Sequence, residues 1–249
     1  MRETLISVLV FVALVAASLG SRALYKRIPE RHRATETEEI VRLLASVFVV
    51  LASLVLGLMI NSARNTFENV DRNVHAYATD LILLDRTMRQ YGPETAAARQ
   101  RLLAYVEQAA PHMGQSDPVL GNRNAESLLV DVGNGLRELK PADPEHAALK
   151  QRAERRFEAV YEMRWALVEQ SEGTIPLPLI ALLAAWLVLI FAAFGFRAPR
   201  NPVIATAFIV SSALIAGAIY LILDMDGPFD GTIQVSPAPL ERVIAELRK

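Results

Sequence analysis

Four stretches of the chain carry no charge and are almost wholly apolar. They are residues 4–20 (TLISVLVFVALVAASLG), 43–60 (LLASVFVVLASLVLGLMI), 174–196 (TIPLPLIALLAAWLVLIFAAFGF) and 201–223 (NPVIATAFIVSSALIAGAIYLIL). At 1.5 Å per residue each is about long enough to cross a ~30 Å hydrocarbon layer as a helix. A buried helix of a soluble protein rarely runs this far without a charge. The pattern therefore predicts four transmembrane helices in two pairs. The first run ends near the small residues Ala13, Ala16 and Ala17, as a cleaved signal peptide does. A signal peptide, however, carries its positive charge before the apolar run. Here only Arg2 precedes it, and Arg22, Lys26, Arg27, Arg31 and Arg33 follow it. An uncleaved span is expected.

Between the pairs the pattern changes. Phe67, Val70, Val74, Tyr77, Leu81, Leu84 and Met88 follow one another at alternating steps of 3 and 4, the spacing of a heptad seam. No Pro or Gly falls between Ile60 and Gly92-Pro93. The second span is thus expected to continue as one helix from Leu43 to about Gln90, about 70 Å long. Further helices are expected over 94–109 and, more weakly, over 122–139, where Gly133 and Gly135 interrupt. PHMGQSDP (111–118) reads as a loop between them. Asp143-Pro144-Glu145 is a helix start, with an N-cap followed by Pro at the first helical position. The helix it opens runs to Glu172-Gly173. The expected fold class is all-α: a polytopic membrane protein with four transmembrane helices in two pairs and an intervening extramembrane helical bundle. The expected divisions are 1–60 (first pair with a basic loop), 61–173 (extramembrane helical domain), 174–224 (second pair) and 225–249 (C-terminal tail).

Composition narrows the function. The 249 residues have a net charge of −1 and no cysteine. The balanced charge lacks the basic footprint of a nucleic-acid binder. Without cysteine there is no disulfide framework, thiolate metal site, iron–sulfur cluster or cysteine nucleophile. Charge asymmetry predicts an orientation. The first connection holds Arg22, Lys26, Arg27, Arg31, Arg33 and Arg42, and the last holds Arg197 and Arg200. The opposite flanks hold only Arg64, Arg72 and Arg164. By the positive-inside rule the two short connections are cytoplasmic, and residues 61–173 lie outside the cytoplasm with both termini.

Catalytic chemistry is not evident. There are four histidines and no H-E-x-x-H, Glu-x-x-His, phosphate-binding glycine loop or G-x-S-x-G. Asp71 and His75 stand one turn apart and read as helix surface. Glu154, Glu158 and Glu162 share a face, but Arg152, Arg155 and Arg156 surround them, as on a salt-bridged solvated face. No enzyme activity, cofactor or resident metal is expected. The spans carry no acidic or basic residue, which disfavours a proton-coupled carrier. A passive pore needs none, because apolar constrictions gate and backbone dipoles select. The second span is the natural lining, with Ser46, Ser53 and Gly57 as its candidate facing residues. Ser53-x-x-x-Gly57 and Ala213-x-x-x-Gly217 are small-residue pairs suited to close helix packing, within one chain or between copies. The fourth span ends in LILDMDGPFDG, which gathers Asp224, Asp226 and Asp230 at a turn. Three carboxylates there either bind a cation such as Ca²⁺ or form a wet helix terminus that aims the tail.

Three blocks, in order, resemble an uncharacterised family of bacterial membrane proteins described as bestrophin-like. They are LILLDRTMRQYGPETAAAR (81–99), PLPLIALLAAWLVLIFAAFGFRAPRN (176–201) and LDMDGPFDGTIQVSPAPL (223–240). The resemblance covers almost the whole chain. It implies a multi-pass protein of the bacterial inner (plasma) membrane and a homo-oligomer in the lipid bilayer. Bestrophins are pentameric anion channels with two helix pairs and a large helical segment between them. In the animal members a Pro-Phe-containing acidic segment after the fourth helix contributes to a Ca²⁺ clasp. Pro228-Phe229 with Asp224, Asp226 and Asp230 resembles that segment, without its longer acidic run. The sequence departs from the bestrophin pattern in the second span, where Phe48 is the only aromatic residue. The charge count also places the helical middle outside the cytoplasm, whereas bestrophins keep theirs inside.

The expected function is therefore an oligomeric membrane protein that passes anions through a central pore. The alternative is a non-conducting scaffold or sensor whose helical domain binds a partner. The long helix from Leu43 discriminates. A channel would pack its seam around a symmetry axis. A sensor would pack it inside the subunit and leave a patch for a partner.

Overall fold

The computed structural model describes residues 2–24, 35–110, 123–170, 175–196, 198–199, 201–229 and 231–249. Among these residues all regular structure is helical. The helices are α1 (Arg2–Leu24), α2 (Thr35–Tyr91), α3 (Ala96–Ala109), α4 (Arg123–Glu138), α5 (Pro144–Glu169), α6 (Leu177–Gly195), α7 (Pro202–Asp226) and α8 (Ala238–Leu247). Four of them, α1, α2, α6 and α7, are long and apolar enough to cross a membrane. Helix α2 starts eight residues before the expected Leu43. Glu39 and Arg42 are good helix formers, and exposed charge does not end a helix. The loop expected at 111–118, the stop expected at Glu172-Gly173 and Asp230 lie outside the described residues. The chain divides into two compact units, residues 1–65 with 174–226 and residues 66–173 with 227–249.

In the first unit α1 packs on α6 and α7. Its buried stripe is Ser7, Val10, Leu14 and Ser18, spaced at the helical three- and four-residue steps. Lipid tails are as apolar as leucine, so spans associate through close packing rather than through hydrophobic burial. The close approach here is at Gly195 of α6. A Cβ there would stand 2.2 Å from the Ser18 carbonyl oxygen and 2.5 Å from Ser21 Oγ. Both hydroxyls are satisfied inside α1. Ser18 Oγ donates to the Val15 carbonyl at 3.0 Å, and Ser21 Oγ donates to the Ser18 carbonyl at 3.2 Å. The expected small-residue pairs do not serve this purpose within the chain. A Cβ at Gly57 or Gly217 would meet nothing within 4 Å, because neither faces another described helix. On α2 the packed stripe is Ala45, Ala52, Met59 and Ala63, with Phe48 against Trp186 of α6, ring centroids 6.4 Å apart.

The second unit has the bundle core. Of the heptad seam on α2, Val70, Val74, Tyr77, Leu81, Leu84 and Met88 are all buried, and Phe67 is partly so. They meet Leu102 and Val106 of α3, Leu129 and Leu136 of α4, Val160 and Leu167 of α5, and Leu240 and Val243 of α8. The seam is therefore filled from within the subunit. Of the two arrangements set out for the seam, this is the one given for a sensor, packed inside the subunit. The reason is that α3, α4, α5 and α8 supply apolar partners at every turn of it. Helix α4 passes through Gly133 and Gly135 unbroken, where an interruption was expected. Gly133 stays because a Cβ would come 2.6 Å from the tip of the Phe157 ring. Packing against that ring outweighs the ~1 kcal/mol helix penalty of glycine.

A polar knot lies at the far end of α2. Asp85 is buried, and its two oxygens accept from Arg89 Nε at 2.6 Å and Arg99 Nε at 2.8 Å. Arg89 Nη2 also donates to the carbonyls of Glu246 at 2.9 Å and Leu247 at 3.3 Å. A cation at those carbonyls completes the negative end of the α8 dipole. Gly92, with φ of 127°, turns the chain out of α2. Buried Thr95 then fixes the turn by donating to the carbonyls of Met88 at 2.6 Å and Gly92 at 2.8 Å. Arg248 reaches Glu107 at 2.6 Å and holds α8 to α3.

The start of α5 follows the sequence. Asp143 is the N-cap and accepts the His146 N–H at 2.8 Å. Its other oxygen lies 2.8 Å from His146 Nδ1, and the imidazole ring meets Tyr91 edge-on at 5.1 Å. The hydrogen bond to Asp143 raises the His146 pKa, and hydrogen bonds from His146 lower that of Asp143. A raised histidine pKa gives stability that is complete below its unfolded value, ~6.5, and lost as pH rises through the folded value. The Asp143 contribution is lost only in acid, as pH falls through its lowered folded pKa. The Tm difference between the protein and its His146→Gln variant should therefore be larger at about pH 5.5 than at about pH 8.5. Equal differences at both would dismiss the pairing.

Candidate functional site

The spanning part of α2 is the least covered segment of the first unit. Positions follow from the helix period of about 100° per residue. Ala45, Ala52, Met59 and Ala63 form the packed side. Ser46, Ser53 and Gly57 are all exposed and fall within about 40° of one another, some 120° round from that side. The structure thus brings the three candidate pore-lining residues onto one uncovered face. Leu43, Val47, Leu54 and Leu58 are exposed beside them, as lipid or a second copy would require. Each serine hydroxyl is occupied by its own helix. Ser46 Oγ donates to the Leu43 carbonyl at 2.6 Å, and Ser53 Oγ donates to the Val49 carbonyl at 2.8 Å. Contact with an anion requires the hydrogen to swing away from the carbonyl. Phe48 lies on the packed side, so this face has no aromatic ring.

The acidic turn differs in character from a wet terminus. Asp224 and Asp226 are 2% and 5% exposed. Asp226 Oδ2 accepts the Ile175 N–H at 3.0 Å. That donor lies just before Pro176, the N-cap of α6, and the prolines at 176 and 178 contribute no N–H of their own. The carboxylate therefore ties the end of α7 to the start of α6. Among the described residues no group of three His, Asp or Glu side chains could hold a metal ion. Asp230, the third expected member, lies outside them.

Other charged positions behave as surface. His75 Nδ1 lies 2.9 Å from the Asp71 carbonyl oxygen, both residues being exposed. Arg156 pairs with Asp80 at 3.2 Å, and Lys150 with Glu154 at 3.9 Å. The sequence reading passed over Asp85 and took Arg164 only as a flanking charge. Asp85 carried a signal, since Arg89 follows it by one helical turn. Arg164 carried none. It is fully buried, with Nη2 3.9 Å from Glu126 and its guanidinium 5.1 Å from the Trp165 ring. It neighbours the buried Tyr77 and Tyr105 hydroxyls, which hydrogen-bond to each other. Burial pushes both phenols up, so they stay neutral.

An all-helical membrane protein with four apolar spans and a separate helical core is the class so defined. The chain belongs to the Bestrophin-like family, whose domain matches residues 12–240. Solved structures agree in fold. A crystal structure of a single-residue variant of a bacterial bestrophin homologue from Klebsiella pneumoniae superposes with a TM-score of 0.67 at 14% identity, covering 97% of both chains. The form of that homologue phased on zinc gives 0.66 at 15% identity, over 98% of this chain and 96% of that one. A further variant of it gives 0.66 at 13% identity, over 98% and 99%. No curated protein matches the chain.

Proposed function

We propose that the chain is one subunit of a homo-oligomeric anion channel in the bacterial inner membrane, with the Ser46–Ser53–Gly57 face of α2 turned to the conducting axis. The observation that carries this reading is the uncovered face itself. Four helices fold against one another, yet the α2 face that combines small and hydroxyl residues is left open on the longest helix. The family supplies the expectation of anions and of a symmetric assembly. The positive-inside count supports cytoplasmic short connections. In this reading the acidic turn is positional, because Asp226 serves the start of α6.

The scaffold alternative meets one of its two conditions. It called for the seam to be filled within the subunit, which it is, and also for a patch open to a partner. In the second unit the exposed large apolar side chains, among the described residues, are Val130 and Trp165. Two isolated residues are ordinary surface rather than a docking patch.

Chloride efflux from liposomes holding the purified protein tests the reading. Efflux should exceed that of empty liposomes, and Ser53→Trp should cut it about tenfold or more by filling the narrow axis. Efflux no faster than from empty liposomes across pH and Ca²⁺ would overturn it.

A further inference from the structure

The charges that bracket the α2 span fall on the same face. Arg42 precedes the uncharged run and Arg64 follows it, and both are exposed. They are 22 residues apart, about 33 Å along a helix, close to the ~30 Å hydrocarbon thickness. At about 100° per residue, Arg42, Ser46, Ser53, Gly57 and Arg64 lie within an arc of about 60°. The packed stripe of α2 lies elsewhere, so both arginines extend the open face rather than the buried one. Acidic residues accompany them, but further out. Glu39 precedes Arg42 and Glu68 follows Arg64 by about one turn on the same face.

We infer that Arg42 and Arg64 form the two charged entrances of the conducting path and set its preference for anions over cations. The inference rests on the pore reading above. Position decides the sign of the field. The arginines sit at the edge of the apolar segment, where low-dielectric walls focus a potential. The glutamates lie about 5 Å further from the apolar run, so their field at its edge is weaker than that of the arginines. At either edge of the apolar run the guanidinium groups are therefore the nearest charges of α2 to the apolar segment. Repeated around a symmetry axis, each arginine becomes a ring. Arginines at span ends also snorkel to lipid phosphates, and that role predicts no effect on which ion crosses.

Reversal potentials under a KCl gradient, measured on the reconstituted protein, separate the cases. The unsubstituted protein should reverse toward the chloride equilibrium potential. Arg42→Gln and Arg64→Gln should each move the reversal toward zero, with the chloride-to-potassium permeability ratio falling roughly threefold or more. Arg64→Lys, which keeps the charge, should retain the preference, and Glu68→Gln should keep or increase it. The shifts should shrink in 1 M salt, where the screening length is ~3 Å. Current with an unchanged reversal potential in both glutamine variants overturns the arginine assignment and leaves the pore standing. So does a loss of conductance without a change of selectivity. No current in the unsubstituted protein overturns the pore reading and the assignment with it.

Discussion

Asp85→Ala is expected to lower the thermal midpoint of the detergent-solubilised protein by roughly 10 °C, about 3 kcal/mol. The Asp85 side chain is 2% exposed, whereas those of Arg89 and Arg99 are 32% and 29% exposed. Removing the carboxylate leaves two half-solvated cations facing each other without the anion between them. Arg89 then loses the partner that steers it to the α8 carbonyls, so the substitution also loosens the C-terminal helix. Arg99→Ala should cost less, since Asp85 keeps Arg89 and the lost group was partly in water. A midpoint for Asp85→Ala within about 2 °C of the unsubstituted protein would remove the knot from the account. Limited proteolysis gives a second reading, with cleavage after Arg242 or Arg248 becoming faster in Asp85→Ala.

Gly195→Ala is the second large effect. The added methyl carbon would meet the Ser18 carbonyl at 2.2 Å, and a backbone oxygen cannot rotate aside as a side chain can. Helix α1 must move away from α6 by about 1 Å, forfeiting contacts along the stripe from Ser7 to Ser18. Overpacking of this kind costs typically 1–3 kcal/mol and here should reach the upper end. Gly57→Ala and Gly217→Ala are the controls. Each adds the same methyl into open space and gains up to ~1 kcal/mol of helix propensity. Equal melting behaviour of the three variants would contradict the close crossing at Gly195.

Much of this fold was legible because its parts have strong periods. Four uncharged runs of span length and the heptad from Phe67 to Met88 fix where the long helices lie. Asp143-Pro144 marks the start of α5 by the chemistry of a single cap. What the sequence could not give is which neighbour each face meets. Gly133 reads as a helix breaker until Phe157 is seen to occupy the space a side chain would need. Gly57 and Gly217 look like packing glycines, yet Gly195, in no recognisable motif, makes the tight crossing. The heptad seam looks equally suited to an axis of symmetry and to a private core. Only the positions of Leu102, Leu129, Val160 and Leu240 decide for the core. Asp226 reads as a solvated end residue, because nothing in the chain announces that Ile175, fifty-one positions earlier, will offer it an N–H. The candidate lining residues were legible as residue types. That they share one open face required the packed stripe of Ala45, Ala52 and Met59 to be located.

The central claim is that the Ser53 face of α2, and no other face of that helix, borders the ion path. The chain has no cysteine, so a single introduced thiol is the only one. Ser53→Cys should leave chloride efflux measurable and lose it on treatment with a bulky charged thiosulfonate. Leu51→Cys, exposed but about 160° round the helix, should keep its efflux under the same treatment. Equal inhibition of the two variants, or inhibition of Leu51→Cys alone, would contradict the account.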